Sequence, residues 1–360
     1  YDRMYKYNPH GNLLKNQIGK TYILQYIQSL SKYSFLNIGI TKYLKSYSHD
    51  AFKNHTGYVN NELLNTSDSY SFYSGGSNNN RFNRSTETTT FKMEFSSQLN
   101  FSNSIKTGIE YRIHNLNYND INLKPQIESQ SIDLIYDYPI LVDPIEPEDY
   151  TIYSSSFNFK PIEFSCYFQD KVELNELILN LGIRYDFFNA NGRILADPSD
   201  PSIYNPIKIE NRFYDTNENG IKEIDESIVT IIEREEYWYK STSSKYTISP
   251  RFGASFPFSN KGVIHFSYGH FVQIPRFNLL YSNSDFDLGQ GTGNVGVIGN
   301  ADLYPEKTIS YEIGIQQLIQ PQTRLDFTLY LRDIRDLTGT RSEEIPIFGG
   351  VAYYNKLVNS

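Results

Sequence analysis

Between residues 215 and 226 the chain reads Asp215-Thr216-Asn217-Glu218-Asn219-Gly220-Ile221-Lys222-Glu223-Ile224-Asp225-Glu226. This is the D-x-[DN]-x-[DN]-G-x5-E spacing of a calcium loop. Calcium is a hard cation that takes six to eight oxygens, and such a loop supplies them at fixed positions. Here they would come from Asp215, Asn217, Asn219, the Ile221 carbonyl, Glu223 through a water, and Glu226 as a bidentate ligand. Gly220 would make the sharp turn. Lys222 stands where an apolar residue is usual, and no helix pattern flanks the loop. An exposed Asn/Gly turn is the competing reading, and both stay open.

Other constellations read as structure rather than chemistry. Gly291-Thr292-Gly293-Asn294-Val295-Gly296 fits G-x-G-x-x-G, but no helix pattern follows to receive a pyrophosphate. It reads as a loop. His265 and His270 lie on one strand pattern with odd spacing, so they point to opposite faces and cannot chelate together. His49 and His55 fall in a polar stretch and read as solvated. Cys166 shares a face with Phe164 and Phe168, as a small lipid-facing residue would. Asp143, Glu146, Glu148 and Asp149, interrupted by prolines, read as a solvated loop. No Ser/His/Asp set, nucleophile motif or paired-carboxylate spacing stands out, so neither an enzyme nor a required cofactor is expected. A net charge of −8 disfavours a nucleic-acid groove, and a single cysteine forbids a disulfide framework or a Cys-rich zinc site.

The elements that must hold these residues are strands. Leu179, Leu181, Ile183, Tyr185 and Phe187 share one face of a period-two segment, with Asn180, Gly182, Arg184 and Asp186 on the other. Phe91, Met93, Phe95, Leu99 and Phe101 oppose Lys92, Glu94, Ser96, Gln98 and Asn100. Ile105, Ile109, Tyr111 and Ile113 oppose Lys106, Gly108, Glu110, Arg112 and His114. The rule returns around Ile248–Phe256, Ile309–Ile315 and Leu325–Leu331, less cleanly over 33–45, 161–173 and 262–273, and weakly over 21–30. That makes about ten strands of roughly 9–13 residues, longer than those of soluble sheets. Nothing comparable repeats at helical spacing. Tyr 31 and Phe 23 against Trp 1 and Met 2 suit β-structure and interfaces.

Short turns (Phe101-Ser102-Asn103-Ser104, Leu174-Asn175-Glu176, Ser259-Asn260-Lys261-Gly262, Gln320-Pro321-Gln322) alternate with long polar stretches near 46–87, 118–160, 190–244 and 274–304. In an up-and-down meander that puts every tight turn on one rim and every long loop on the other. Compact soluble domains rarely hold such loops, whereas outer-membrane barrels have short periplasmic turns and long external ones. No run of apolar residues is long enough for a spanning helix, but the strands match a tilted membrane crossing. The expectation is an all-β, antiparallel, up-and-down transmembrane barrel with apolar side chains toward lipid and ionisable ones inside. Tyr43, Tyr47, Tyr185, Phe187 and Phe188 would sit in an aromatic girdle. Tyr- and Asn-rich loops around Tyr70–Asn83 and Asn278–Asn294 would offer a hydrogen-bonding mouth for a ligand. Ten or eleven strands would leave open edges in hydrocarbon, and Val351-Ala352-Tyr353-Tyr354 reads as the start of another strand. A fragment of a larger barrel is therefore expected.

Gly299-Asn300-Ala301-Asp302-Leu303-Tyr304-Pro305-Glu306-Lys307-Thr308, then Tyr311-Glu312-Ile313-Gly314, resembles the G-N-x-D-L-x-P-E-K-T-x-x-Y-E-x-G signature of TonB-dependent outer-membrane receptors. His265-Phe266-Ser267-Tyr268-Gly269-His270-Phe271 with Ile274-Pro275, and Gln169-Asp170-Lys171 with Asn180-Leu181-Gly182-Ile183-Arg184-Tyr185-Asp186, are similar to upstream strands of that family, in the family's order. The resemblance implies a barrel of about 22 strands around a globular plug. It also implies import of a scarce ligand (metal chelate, vitamin, glycan or peptide) with energy passed through the TonB complex. The whole of 1–360 then reads as part of the barrel domain, without plug, TonB box or closing strands. Expected partners are outer-membrane lipid, the plug, the TonB complex through segments not in this sequence, and an unidentified ligand. A passive porin-like channel and a soluble or surface glycan-binding β-protein are the alternatives.

Overall fold

The computed structural model describes residues 3–53, 72, 77–125, 144–145, 154–284, 294–347 and 350–359. In chain order the first strands are β1 (Leu14–Ser29), β2 (Ser34–Asp50), β3 (Asn80–Gln98) and β4 (Asn103–Asn122). The short pair β5 (Lys124–Pro125) and β6 (Pro144–Ile145) follows, then β7 (Ser154–Phe159), β8 (Ile162–Leu174) and β9 (Leu177–Asn189). Another short pair is β10 (Arg193–Leu195) and β11 (Tyr239–Ser241), flanking helix α1 (Ile231–Trp238). Next come β12 (Lys245–Ser259), β13 (Gly262–Gln273), helix α2 (Phe277–Tyr281), β14 (Asn294–Ile298), β15 (Glu306–Gln320), β16 (Thr323–Arg335), β17 (Thr338–Ile347) and β18 (Gly350–Asn359). No described helix is long and apolar enough to cross a membrane.

The long strands form one sheet in sequence order, β1-β2-β3-β4-β8-β9-β12-β13-β15-β16, with β7 added beside β4. Every register resolved in it is antiparallel. The ends of the order, β1 and β16, are not paired to each other, so the sheet is open. β7 and β8 continue one line along β4, interrupted at Pro161, whose carbonyl accepts from His114 N at 3.0 Å. Short connections at one end are closed by main-chain bonds, among them Leu30 N to Ser34 O and Leu99 N to Asn103 O, each 2.9 Å.

The chain divides into two compact units, Tyr1–Thr21, Tyr43–Thr88 and Asn115–Phe159 in the first, and Tyr22–Lys42, Thr89–His114 and Lys160–Ser360 in the second. In the first, an aromatic line runs from Tyr47 to Phe82 (5.7 Å), Tyr118 (5.3 Å) and Phe157 (4.9 Å). In the second, apolar residues of one face of the sheet are exposed: Ile183 52%, Ile248 58%, Phe327 57% and Leu329 58%. On the other face Ser165 and Ser249 are buried and Arg184 and Arg251 half-buried. A soluble sheet buries its apolar side; this one presents it outward, as a wall in contact with acyl chains must.

Several buried apolar side chains of the second unit lie in the connection between β9 and β12. Leu195, Ile203 and Trp238 form a cluster with Tyr204, Ile231 and Tyr239 around it. Asp200, 1% exposed, is held there by Ile207 N (2.8 Å), Lys208 N (3.1 Å) and Asn211 Nδ2 (2.8 Å). Buried Arg234 donates to the Ile203 and Val229 carbonyls. α1 starts in a capping box in which Glu233 N donates to Thr230 Oγ1 and Thr230 N to Glu233 Oε2.

Several strands run beyond their expected ends. β3 begins at Asn80 and β4 reaches Asn122, so stretches read as loop near 46–87 and 118–160 are in part strand. Arg81-Phe82-Asn83-Arg84-Ser85-Thr86-Glu87-Thr88 has too little apolar alternation to announce itself, yet its backbone is paired. The strand foreseen at Val351–Tyr354 forms as β18, but pairs with β17 and, in parallel, with β14, apart from the main sheet. Asp336, at φ 56°, turns the chain between β16 and β17.

Candidate functional site

The face opposite the exposed apolar residues carries the charged side chains. Glu94 accepts from Tyr167 Oη at 2.6 Å and lies 3.2 Å from Lys92 and 3.5 Å from Lys106. Glu163 binds Arg112 at 3.2 Å and His114 at 2.9 Å, and Arg112 also reaches Glu110 at 2.5 Å. Arg184 is chelated by Asp186 at 2.8 Å. Two concavities lie on this face. One of about 830 Å³ includes Lys106, Gln169, Arg251, Ser310 and Arg332 in its lining. The other, about 310 Å³, is bordered by Arg112, Glu163, Arg184, Asp186 and Lys245. Both are clefts with mixed charged and apolar linings, in the size range of small-molecule sites.

The loop Asp215–Glu226 is folded around its own carboxylates. Gly220, at φ +75°, donates its N–H to Asp215 Oδ2 at 2.7 Å. Asn219 N donates to Asp215 Oδ1 and Asn217 Oδ1, both 3.1 Å, and Asn219 Nδ2 to Glu223 Oε1 at 3.1 Å. Glu226, 4% exposed, accepts from Thr216 N at 2.9 Å and Glu223 N at 3.0 Å. Ile221 N donates to Asn219 Oδ1 at 2.7 Å. Among the described residues no three His, Cys, Asp or Glu side chains gather as a metal-holding group.

The stretch Gly299–Thr308 ties the connections together before entering β15. Gly299 N donates to Ser282 O at 2.7 Å, and a Cβ there would lie 2.7 Å from Ser282 N, so the backbones meet where only glycine fits. Asn300 Nδ2 donates to Leu357 O at 3.0 Å, and Asp302 N donates to Asn300 Oδ1 at 3.0 Å. Asp302 Oδ1 receives Lys245 Nζ at 2.8 Å, Ser243 Oγ at 2.9 Å and Ser243 N at 3.1 Å. Burial pushes the Asp302 carboxyl up, but these bonds outweigh it and hold the group below the ordinary carboxylate range. Lys245 also lies over the Tyr304 ring at 4.2 Å. Buried Tyr281 donates to the Ala190 carbonyl.

The profile of the family described as "TonB dependent receptor-like, beta-barrel" matches residues 4–358. The chain belongs to that family. TonB-dependent receptors reside in the bacterial outer membrane, which accounts for the wall's outward apolar face. In fold the chain is similar to an outer membrane transporter, YddB from Escherichia coli, at TM-score 0.54 and 12% identity, covering 96% of this chain and 38% of that one. It is similar to a copper transporter, OprC, at TM-score 0.52 and 11% identity, covering 95% and 42%. It is also similar to the FrpB iron transporter from Neisseria meningitidis, F3-3 variant, at TM-score 0.51 and 15% identity, covering 96% and 39%. The chain thus spans well under half the length of these structures, as part of a receptor barrel does. A search of curated proteins finds no match to it.

Within the receptor wall the sequence-derived residues fall as follows. His265 lies 3.5 Å from Glu312, while His270 accepts or donates at Tyr268 Oη, 2.6 Å, so the two do not meet. His49 is not solvated as expected: β2 extends through it, its ring stacks on Phe82 at 5.0 Å, and Nε2 meets Asn80 Oδ1 at 2.5 Å. Of the expected girdle, Phe188 is 3% exposed on the Arg184 and Asp186 face, and Tyr47 packs against Phe82. Tyr185 and Phe187 share the outward face with Ile183, where Tyr268 and Tyr311 lie 5.1 Å apart and Phe252 and Phe266 6.0 Å apart. Cys166 is half-buried and free, opposite Ile109 and Tyr185. His55, Asp143, Glu146, Glu148, Asp149 and Gly291–Gly293 lie outside the described residues, as does most of 70–76 and 285–293. The soluble glycan-binding alternative fails on the exposed apolar face and the family match. The tie between Asp302 and Lys245 went unforeseen, although the signature around Asp302 marked the place.

Proposed function

We propose that this chain supplies wall and external connections of a receptor that captures a scarce ligand outside the cell and imports it with energy delivered through TonB. The observation that supports it most is the family match over residues 4–358 on a sheet whose apolar face points out and whose charged face points in. The transport functions in the names of the similar solved structures agree with it. A plug held inside the barrel and a TonB contact made outside this stretch complete the reading. Uptake that stops both when the gene is deleted and when the TonB complex is disrupted is the expected result. Uptake that persists without the TonB complex would favour a passive channel instead.

Calcium binding by the 215–226 loop is a separate proposal, supported by the ligand spacing and by Gly220 taking the turn that position needs. Calorimetry of the purified receptor with calcium chloride should give saturable heat that Glu226→Gln removes. Absence of heat up to millimolar calcium sets the proposal aside.

A further inference from the structure

One register row crosses the second unit's sheet from β4 to β16. Lys106 pairs with Gln169, Gln169 with Gly182, and Gly182 with Arg251. Arg251 pairs with Gly269, Gly269 with Ser310, and Ser310 with Arg332. Directly paired residues stand on the same face, so these positions form a single inward line. A cation recurs every third strand, and the residues between Arg251 and Arg332 are glycine and serine. With strands about 4.8 Å apart, successive cations spring from backbones about 14 Å apart, close enough for two long side chains to hold one ligand between them. All seven residues line the 830 Å³ concavity.

The other cations of this inner face have carboxylate partners. Lys106 has Glu94, Lys171 has Glu173, Arg112 has Glu110 and Glu163, and Arg184 has Asp186. Arg251 and Arg332 differ: among the described residues neither forms an ion pair. Arg251 lies over the Phe271 ring at 4.8 Å, and its Nε is buried without an acceptor. Arg332 lies over Tyr330 at 5.2 Å. Guanidinium groups stay charged at any physiological pH and present a fork of donors, so a desolvated N–H without an acceptor is costly. The carboxylates on the same lining are Asp170 and Glu312, and Glu312 faces His265. A Cβ on Gly269 would stand 3.5 Å from Arg251 Cγ and 3.3 Å from the Phe271 ring, so glycine there leaves the Arg251 stem its room.

We propose that Arg251 and Arg332 bind a small polyanion, a molecule carrying two or more carboxylate or phosphate groups, seated over Gly269 and Ser310. The guanidinium forks match either oxyanion, and the glycine–serine floor admits it. The inference deepens the receptor reading by naming the ligand class, and rests on that reading for the ligand's route but not for its binding.

The test is calorimetry at low salt on the intact receptor, extracted from outer membranes in neutral detergent. Propane-1,2,3-tricarboxylate and pyrophosphate are the probes, which separate carboxylate from phosphate sources, and maltose is the neutral control. At least one polyanion should bind saturably, weaken with added salt, and lose tenfold or more in affinity in both Arg251→Gln and Arg332→Gln. Arg332→Lys should keep part of it, and Arg324→Gln all of it. Heat-modifiable migration shows that each variant is folded, and Arg332→Lys keeps the test decisive if a glutamine variant is not. Absence of binding by either polyanion, binding that survives both glutamine substitutions, or equal binding of maltose would overturn the proposal. Loss of thermal stability in Arg251→Glu, in a receptor that binds no polyanion, would identify an acidic polypeptide as the occupant and overturn it too. If polyanion binding fails while TonB-dependent uptake persists, only this inference falls.

Discussion

Asp302 and Lys245, 57 residues apart in sequence, meet at 2.8 Å where the signature stretch crosses the start of β12. The Lys245 side chain is 5% exposed there and that of Asp302 34%. Removing the Asp302 carboxylate leaves the buried Lys245 ammonium without its counter-charge, at a cost below the roughly 3 kcal/mol of a fully buried pair because Asp302 is itself half-buried. Asp302→Ala should therefore free the connections while leaving the membrane wall folded. Limited proteolysis should cut the variant near 190–244 and 294–304 with heat-modifiable migration unchanged; equal protease resistance would show the pair to be dispensable.

The same contact predicts a pH response. The folded Asp302 carboxyl is held below its ordinary value, so it binds a proton less readily folded than unfolded. Its contribution is present above the unfolded value of about 3.9 and fades as pH falls through the lower folded value. Protease protection of these connections should decline in wild type below about pH 4 and show a flatter decline in Asp302→Asn.

Gly299 predicts a steric penalty. An alanine Cβ would lie 2.7 Å from Ser282 N and 2.9 Å from Ser282 O, both main-chain atoms. Overpacking of this kind costs about 1–3 kcal/mol. Gly299→Ala should lose the Gly299 N to Ser282 O bond, read as faster amide exchange around α2, whereas Gly339→Ala, with open space around it, should behave as wild type.

The loop at 215–226 predicts a local loss. Glu226 takes two main-chain N–H groups, and charge-assisted bonds of this type contribute about 1.5–3 kcal/mol each. Glu226→Ala should make the 215–226 segment the first site of proteolytic nicking, with β12 and β13 untouched.

The two faces of β16 predict opposite tolerances. Leu329 faces outward and is 58% exposed, while the adjacent Thr328 faces inward beside Gly314. An arginine on the lipid face costs about 2–4 kcal/mol near the bilayer midplane. Leu329→Arg should lower the yield of heat-modifiable receptor in outer membranes, and Thr328→Arg should not.

What could be read beforehand depended on whether a residue's signal was local. Ile183 and Arg184 reveal their faces by alternation alone, because a strand turns successive side chains to opposite sides. The stretch Arg81–Thr88 could not, since it is polar on both faces and its pairing is decided by neighbouring strands. The Gly299–Thr308 pattern was recognisable, but its contacts to Ser243, Lys245, Ser282 and Leu357 depend on how distant connections close. Arg251 and Arg332 were assignable to the inner face. That they share a row and lack carboxylates follows only from the register of seven strands.

The cluster of Leu195, Ile203 and Trp238, with Asp200 and Arg234 at its centre, is built wholly from the stretch joining β9 to β12. That stretch carries a small buried core of its own. It can be exchanged, lengthened or reshaped as a module while the bilayer-spanning frame stays as it is. Sequence change confined to that core leaves the strand registers of the wall untouched.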